Sequence, residues 1–131
     1  MTELSKEVKV ILLVNAIPAF IYAFLFLVIP ETYAQITEAA MYNPINLRQI
    51  GASILVLGIG SVLAIKRNDL EKAKILWEIS IIWLILMSII GIWGAFAIPG
   101  TATAQVGTWI ANAILIVLAV LNIYVFYRET M

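Results

Sequence analysis

The chain holds neither a cysteine nor a histidine. Without cysteine there is no disulfide, no thiolate nucleophile and no sulfur ligand for zinc. Without histidine there is no imidazole for zinc or haem, and no Ser-His-Asp triad. The lack of cysteine also excludes a membrane thiol oxidoreductase, whose chemistry needs paired cysteines. Charge is scarce too: Asp, Glu, Lys and Arg make up 12% of the 131 residues, and eight bases balance eight acids. That is about half the share of a soluble domain, and a net charge of zero advertises no nucleic acid partner.

Apolar residues take the room, at 63% of the chain. They gather in four runs, at about 8–29, 45–65, 75–98 and 106–126. A helix of about 20 mostly apolar residues crosses a bilayer core of about 30 Å. Each run is long enough, so the pattern predicts an all-α integral membrane protein, a single four-helix transmembrane domain. The roughly 40 residues left over are too few for a soluble domain with its own core. The first run, at about 22 residues, exceeds a signal-peptide h-region. Ile29-Pro30-Glu31 follows it instead of a small-residue cleavage site, so an uncleaved first helix is expected.

The basic residues set an orientation. Lys6 and Lys9 precede the first run, Lys66, Arg67, Lys72 and Lys74 separate the second from the third, and Arg128 follows the fourth. Only Arg48 falls on the other side. Short loops rich in Lys and Arg stay in the cytoplasm, so both termini and the 66–74 loop are expected there, in a multi-pass protein of the cell membrane. Small multidrug transporters share this size, but they rely on a membrane-embedded glutamate in the first helix, where this chain offers only Asn15. Asn68 or Asp69 can cap a long helix over 70–98. On the outer side, Tyr33, Ile36, Ala40 and Met41 recur at helical spacing. They predict a short amphipathic segment between helices 1 and 2, lying on the outer membrane surface.

Helices in lipid associate through close packing and polar contacts. Small residues recur four apart at Ala19/Ala23, Gly60/Ala64, Gly91/Ala95 and Gly107/Ala111, and Gly51 and Gly58 share a face. Pro18 lies within the first run and removes one backbone hydrogen bond. Trp77 and Trp109 fall near the expected membrane interfaces, where aromatic belts sit, while Trp83 and Trp93 lie deeper. By the helical rise of about 1.5 Å per residue, Asn15, Ser61, Ser80 and Asn122 reach one depth, roughly 6–10 Å below the cytoplasmic boundary. They form an expected polar packing layer. Near the outer side stand Asn46, Arg48, Gln49, Ser53, Gln105, Thr108 and Asn112. Arg48, which Glu31 or Glu38 can pair, suits a carboxylate, phosphate or lipid head. The span centres carry no ionisable group, which argues against a coupled pump or an ion channel. No carboxylate pair reaches the core to hold a metal, and neither a metal nor a cofactor is expected.

Helix 1 ends Ile29-Pro30-Glu31, a short outer segment follows, and helix 2 opens Arg48-Gln49-Ile50-Gly51-Ala52 with Gly58 and Gly60 after it. In these residues and in its topology the chain resembles the DoxX-like group of small four-helix membrane proteins. Some members of that mostly uncharacterised group are linked to respiratory or redox complexes, and the resemblance implies such an association here. This chain, with no redox ligand, would accompany such chemistry and not perform it.

Two functions follow as expectations. The first is a non-catalytic accessory subunit or self-associating bundle that meets membrane lipids and a second copy, or a partner within a membrane complex, through Gly/Ala faces on helices 2 to 4. The second is a binder or carrier of a small lipophilic or amphiphilic molecule. Arg48, Gln49 and Asn112 would hold its polar head, and Trp93 or Trp109 its apolar part. A membrane enzyme ranks third, because His and Cys are missing. An outward-opening pocket favours the binder; a packed core with a flat small-residue face outside favours the accessory subunit.

Overall fold

The computed structural model describes residues 2–39 and 42–131. Five helices account for nearly all of them: α1 (Lys6–Leu27), α2 (Pro30–Thr37), α3 (Pro44–Arg67), α4 (Leu70–Ala97) and α5 (Ala102–Thr130). Among the described residues there is no strand. All but α2 are long and apolar enough to cross a membrane, which gives the chain the dimensions of a multi-pass membrane protein.

Local chemistry sets the ends. Ser5 caps α1 by accepting the Val8 N–H, and Asp69 caps α4 by accepting the Glu71 N–H. Pro30 and Pro44 stand in the first turns of α2 and α3, where an N–H would have no helical partner. Asn43 caps α3, accepting from Ile45 and Asn46. Asn68 ends α3 in the left-handed region, φ 53°, a conformation that Asn tolerates better than most residues. Pro18 sits inside α1 without ending it.

The long helices alternate in direction, so both termini and the α3–α4 turn share one end. Three contacts fix this arrangement. The Leu4 N–H donates to Asn68 Oδ1 (3.1 Å), the Leu70 N–H to the Thr2 carbonyl (2.8 Å) and Arg128 meets Glu7 (3.7 Å). Seven of the eight basic residues therefore gather at what we term the basic end; Arg48 is at the far end.

The helices pack as two pairs. α1 runs along α3 and α4 along α5. Gly51 and Gly58 make the first pairing close. A Cβ at 51 would lie 2.8 Å from Phe26 Cβ, and one at 58 would lie 3.2 Å from Ala19 Cβ. The pairs meet at the basic end, where Leu4, Val8, Ile11, Leu12, Ala64, Ala73, Trp77 and Ile81 form one buried apolar cluster. At the far end α2 bridges them, with Thr37 against Gly107 and the Thr101 hydroxyl donating to Glu38 (3.3 Å).

α2 buries Pro30 and Ala34, turns Tyr33 inward and leaves Ile36 70% exposed. The face that packs is thus 30, 33, 34 and 37, which shares only Tyr33 with the spacing 33, 36, 40 and 41. Ile36 is free because the helix lies across the bundle end on its 30/34 side. Ala40 and Met41 lie outside the described residues.

Candidate functional site

Asn122 is the most enclosed polar group, at 0% exposure, and all its hydrogen-bonding capacity is used. Its amide donates to Asn15 Oδ1 and to the Leu118 carbonyl, both at 2.7 Å. Its Oδ1 accepts from Asn15 Nδ2 (2.7 Å) and from the Trp77 indole N–H (2.9 Å). This ties α1, α4 and α5 together. Trp77 is no belt residue: it is 1% exposed, wedged edge-on against Phe126 with ring centroids 5.0 Å apart. Depth along a helix placed it near an interface; its face, which depth does not report, turns it inward.

Ser61 and Ser80, at the same level, do not join helices. Each hydroxyl donates to its own helix, Ser61 to Leu57 (3.1 Å) and Ser80 to Leu76 (3.0 Å). With Asn15 they form the floor of a cavity of about 360 Å³ that occupies the far half of the bundle. Asn15 spends one amide hydrogen on Asn122, which leaves the floor a spare donor, and the serine oxygens keep acceptor capacity. The walls are apolar, from Pro18 and Ala19 on α1, Ile54 and Leu57 on α3, Trp83, Leu84 and Met87 on α4, and Ile114 and Leu115 on α5. From Ser80 to Gly91 the cavity extends about 16 Å along the helix rise.

Aromatic rings close the top. Phe26 and Tyr33 meet edge to face at 4.9 Å, and Tyr22 lies 5.6 Å from Phe26 and 6.5 Å from Tyr33. Burial, and secondarily the neighbouring Tyr22, pushes the Tyr33 phenol above its ordinary value, so it stays neutral at physiological pH. Asn112, 3% exposed, joins this level, with Nδ2 donating to the Gly91 carbonyl (2.9 Å). A Cβ at position 91 would collide with the Asn112 carboxamide, so any larger residue there must turn that side chain away from the Gly91 carbonyl. No Asp, Glu, Lys or Arg lines the cavity. Ile50 and Ile90 line it and are also 38% and 57% exposed. The cavity therefore reaches the outer surface between α3 and α4, near the far end.

Of the five residues expected to hold a ligand, only Asn112 stands at this cavity. Arg48 is exposed, its Nε donating to the Leu27 carbonyl at 3.3 Å, and among the described residues it makes no ion pair with Glu31 or Glu38. Gln49 is exposed beside it. Trp93 is 68% exposed, and Trp109 is 41% exposed with its ring edge-on to Phe96 at 5.7 Å. Tyr22, Tyr33, Phe26 and Trp83 line the cavity instead. Trp83 had a signal, its depth within an apolar run. Tyr33 had only its helical spacing in the short outer segment.

Comparison with protein-family models, with curated proteins and with solved structures yields no match.

Proposed function

We propose that this protein binds, and in binding can carry, one small uncharged lipophilic or amphiphilic molecule within the bilayer. The observation that carries the reading is the cavity: apolar walls, hydrogen-bonding groups at both ends, no charge and an opening between α3 and α4. Pockets for small ligands combine mostly apolar walls with a few placed polar groups in this way. A charged ligand would lose its water there with no counter-ion in return, so the lining favours neutral heads such as a hydroxyl, carbonyl or amide. The protein would lie in the cell membrane with its termini and the 66–74 loop in the cytoplasm, so the cavity opens to the outer leaflet. A DoxX-like relationship belongs to the same proposal, resting on Ile29-Pro30-Glu31 and Arg48–Gly51.

The test is to release the protein gently from native membranes and weigh it intact. We expect an additional small-molecule mass that Ala111→Phe, which fills the cavity, removes. A bare chain, or a mass that persists in the filled variant, refutes the reading. Orientation is checked separately. Because the chain has no cysteine, Glu71→Cys and Glu38→Cys should each label from one side only, from opposite sides.

An accessory or self-associating role is the second reading. Gly51, Gly58, Gly60 and Gly91 all face neighbours inside this bundle, but a Cβ at Gly94 meets nothing within 4 Å. Trp93 and Phe96 beside it are 68% and 80% exposed. A partner helix would sit here, and Gly94→Phe would shift the oligomer distribution in detergent if it does.

A further inference from the structure

A second concavity lies outside the bundle, where α3 and α4 cross near the basic end. It has a volume of about 340 Å³. Its walls are apolar side chains, Val56, Ile59 and Leu63 of α3 and Leu76 of α4. Val56, Ile59 and Leu63 are 67%, 44% and 42% exposed, so the groove faces what surrounds the bundle. At its basic end stand Arg67, Lys72 and Asp69. Asp69 is itself engaged: one oxygen accepts the Glu71 N–H (3.1 Å) and the other faces Lys72 (3.8 Å). Arg67 is exposed and makes no ion pair among the described residues.

From Arg67 to Val56 the helical rise is about 16 Å. One leaflet's hydrocarbon is about 15 Å deep, half of a core of about 30 Å. The groove thus has the length of a leaflet, greasy along its course and cationic where the headgroups lie. A planar guanidinium at that level matches a phosphate with two parallel hydrogen bonds. Basic recesses between membrane helices commonly take anionic headgroups.

We infer that the α3–α4 groove is a site for one anionic phospholipid, its phosphate on Arg67 with Lys72 beside it and an acyl chain along Leu63, Ile59 and Val56. This lipid is distinct from the cavity ligand, and the groove shares no lining residue with the cavity.

The test uses the full chain in bilayer discs of phosphatidylcholine and phosphatidylglycerol in equal parts, released and weighed intact. One phosphatidylglycerol per chain should be retained in preference to phosphatidylcholine. Arg67→Gln should lower that retention about fivefold, the equivalent of about 1 kcal/mol for a cation near the phosphate. Lys66→Gln removes the same charge one residue away, outside the groove, and should change it less than about twofold. Val56→Trp blocks the acyl track with every charge intact and should also lower retention, while the cavity's own ligand mass is unaffected. Equal retention of the two lipids, equal losses in the two charge variants, unchanged retention in Val56→Trp, or a second copy of the chain in place of lipid would each overturn the site.

Discussion

The two ends of this bundle solve the packing problem in opposite ways. At the basic end, side chains from α1, α3 and α4 close on one another, and a fully satisfied Asn122 ties α1, α4 and α5 beneath them. At the far end the same helices stand around an open volume, with the eight-residue α2 bridging the two pairs. Lipid supplies no drive to collapse apolar surfaces together, so a bundle must be pinned somewhere. Pinning one end with polar bonds and close contacts leaves the other free to stay hollow. A hollow half is costly in dispersion contacts, a cost that the proposed occupant would offset.

The comparison breaks most sharply at Asn122. Asn122→Leu removes three inter-helix hydrogen bonds and leaves the Trp77 indole and the Asn15 amide unpaired in an apolar setting. With roughly 0.6–1.7 kcal/mol per membrane hydrogen bond, and the added cost of orphaned groups, we expect a loss of about 2–4 kcal/mol. Unfolding in mixed micelles, followed by helical circular dichroism, measures it. A loss below about 0.5 kcal/mol would show that the basic end is held by shape alone.

Next comes a matched pair of insertions. Ala73, 4% exposed in the basic-end cluster, has no room to grow. Ala73→Phe should cost about 1–3 kcal/mol through overpacking. Ala111 faces the cavity, and Ala111→Phe should leave stability within about 0.5 kcal/mol of the parent or raise it. Equal losses in both would mean that the far half is as tightly filled as the near half.

A single methyl gives a finer probe. Gly51→Ala drives a Cβ toward Phe26 and Leu27, at 2.8 and 3.1 Å, and should cost about 1–2 kcal/mol and weaken the α1–α3 pairing. Gly94→Ala meets nothing within 4 Å and should be neutral or gain up to about 1 kcal/mol from helix propensity. The same unfolding measurement reads both, and a reversed order would place the small-residue contact on the outside of the bundle.

Run length and composition carried the helical architecture, because membrane crossing is a one-dimensional requirement that a sequence states directly. Counted depth brings Asn15 and Asn122 to one level, and these two bond each other. Direction was not legible. Ser61 and Asn122 share a counted depth, yet one bonds its own helix and the other joins three, because rotation about the helix axis decides contact. These helices are apolar nearly all round, so no polar stripe marks the inward face. The cavity was illegible for a related reason. A wall residue such as Leu84 or Ile114 has the composition of any core residue, and only helix spacing turns it into a lining. Arg48 stands outside the lining of this cavity, and charge near a span end draws attention whether it faces a pocket or the surrounding interface.

The smallest expected effect tests the closing of the far end. Tyr33 sits between Phe26 and Tyr22 at the cavity top, and burial holds its phenol above the ordinary value. In the unfolded chain the phenol ionises at about pH 10. Above that pH the unfolded state binds fewer protons than the folded one, so stability must fall as pH rises. Below it both states keep the proton and Tyr33 contributes no slope. The parent's stability from neutral pH to about 10 should therefore show no effect of Tyr33, and then decline. Tyr33→Phe keeps the ring and removes the proton, so its decline should be shallower. Parallel curves for the two proteins would mean that Tyr33 is solvated and that α2 does not close the bundle. A shallower curve, together with a retained small-molecule mass, would place the occupant beneath a neutral aromatic cap.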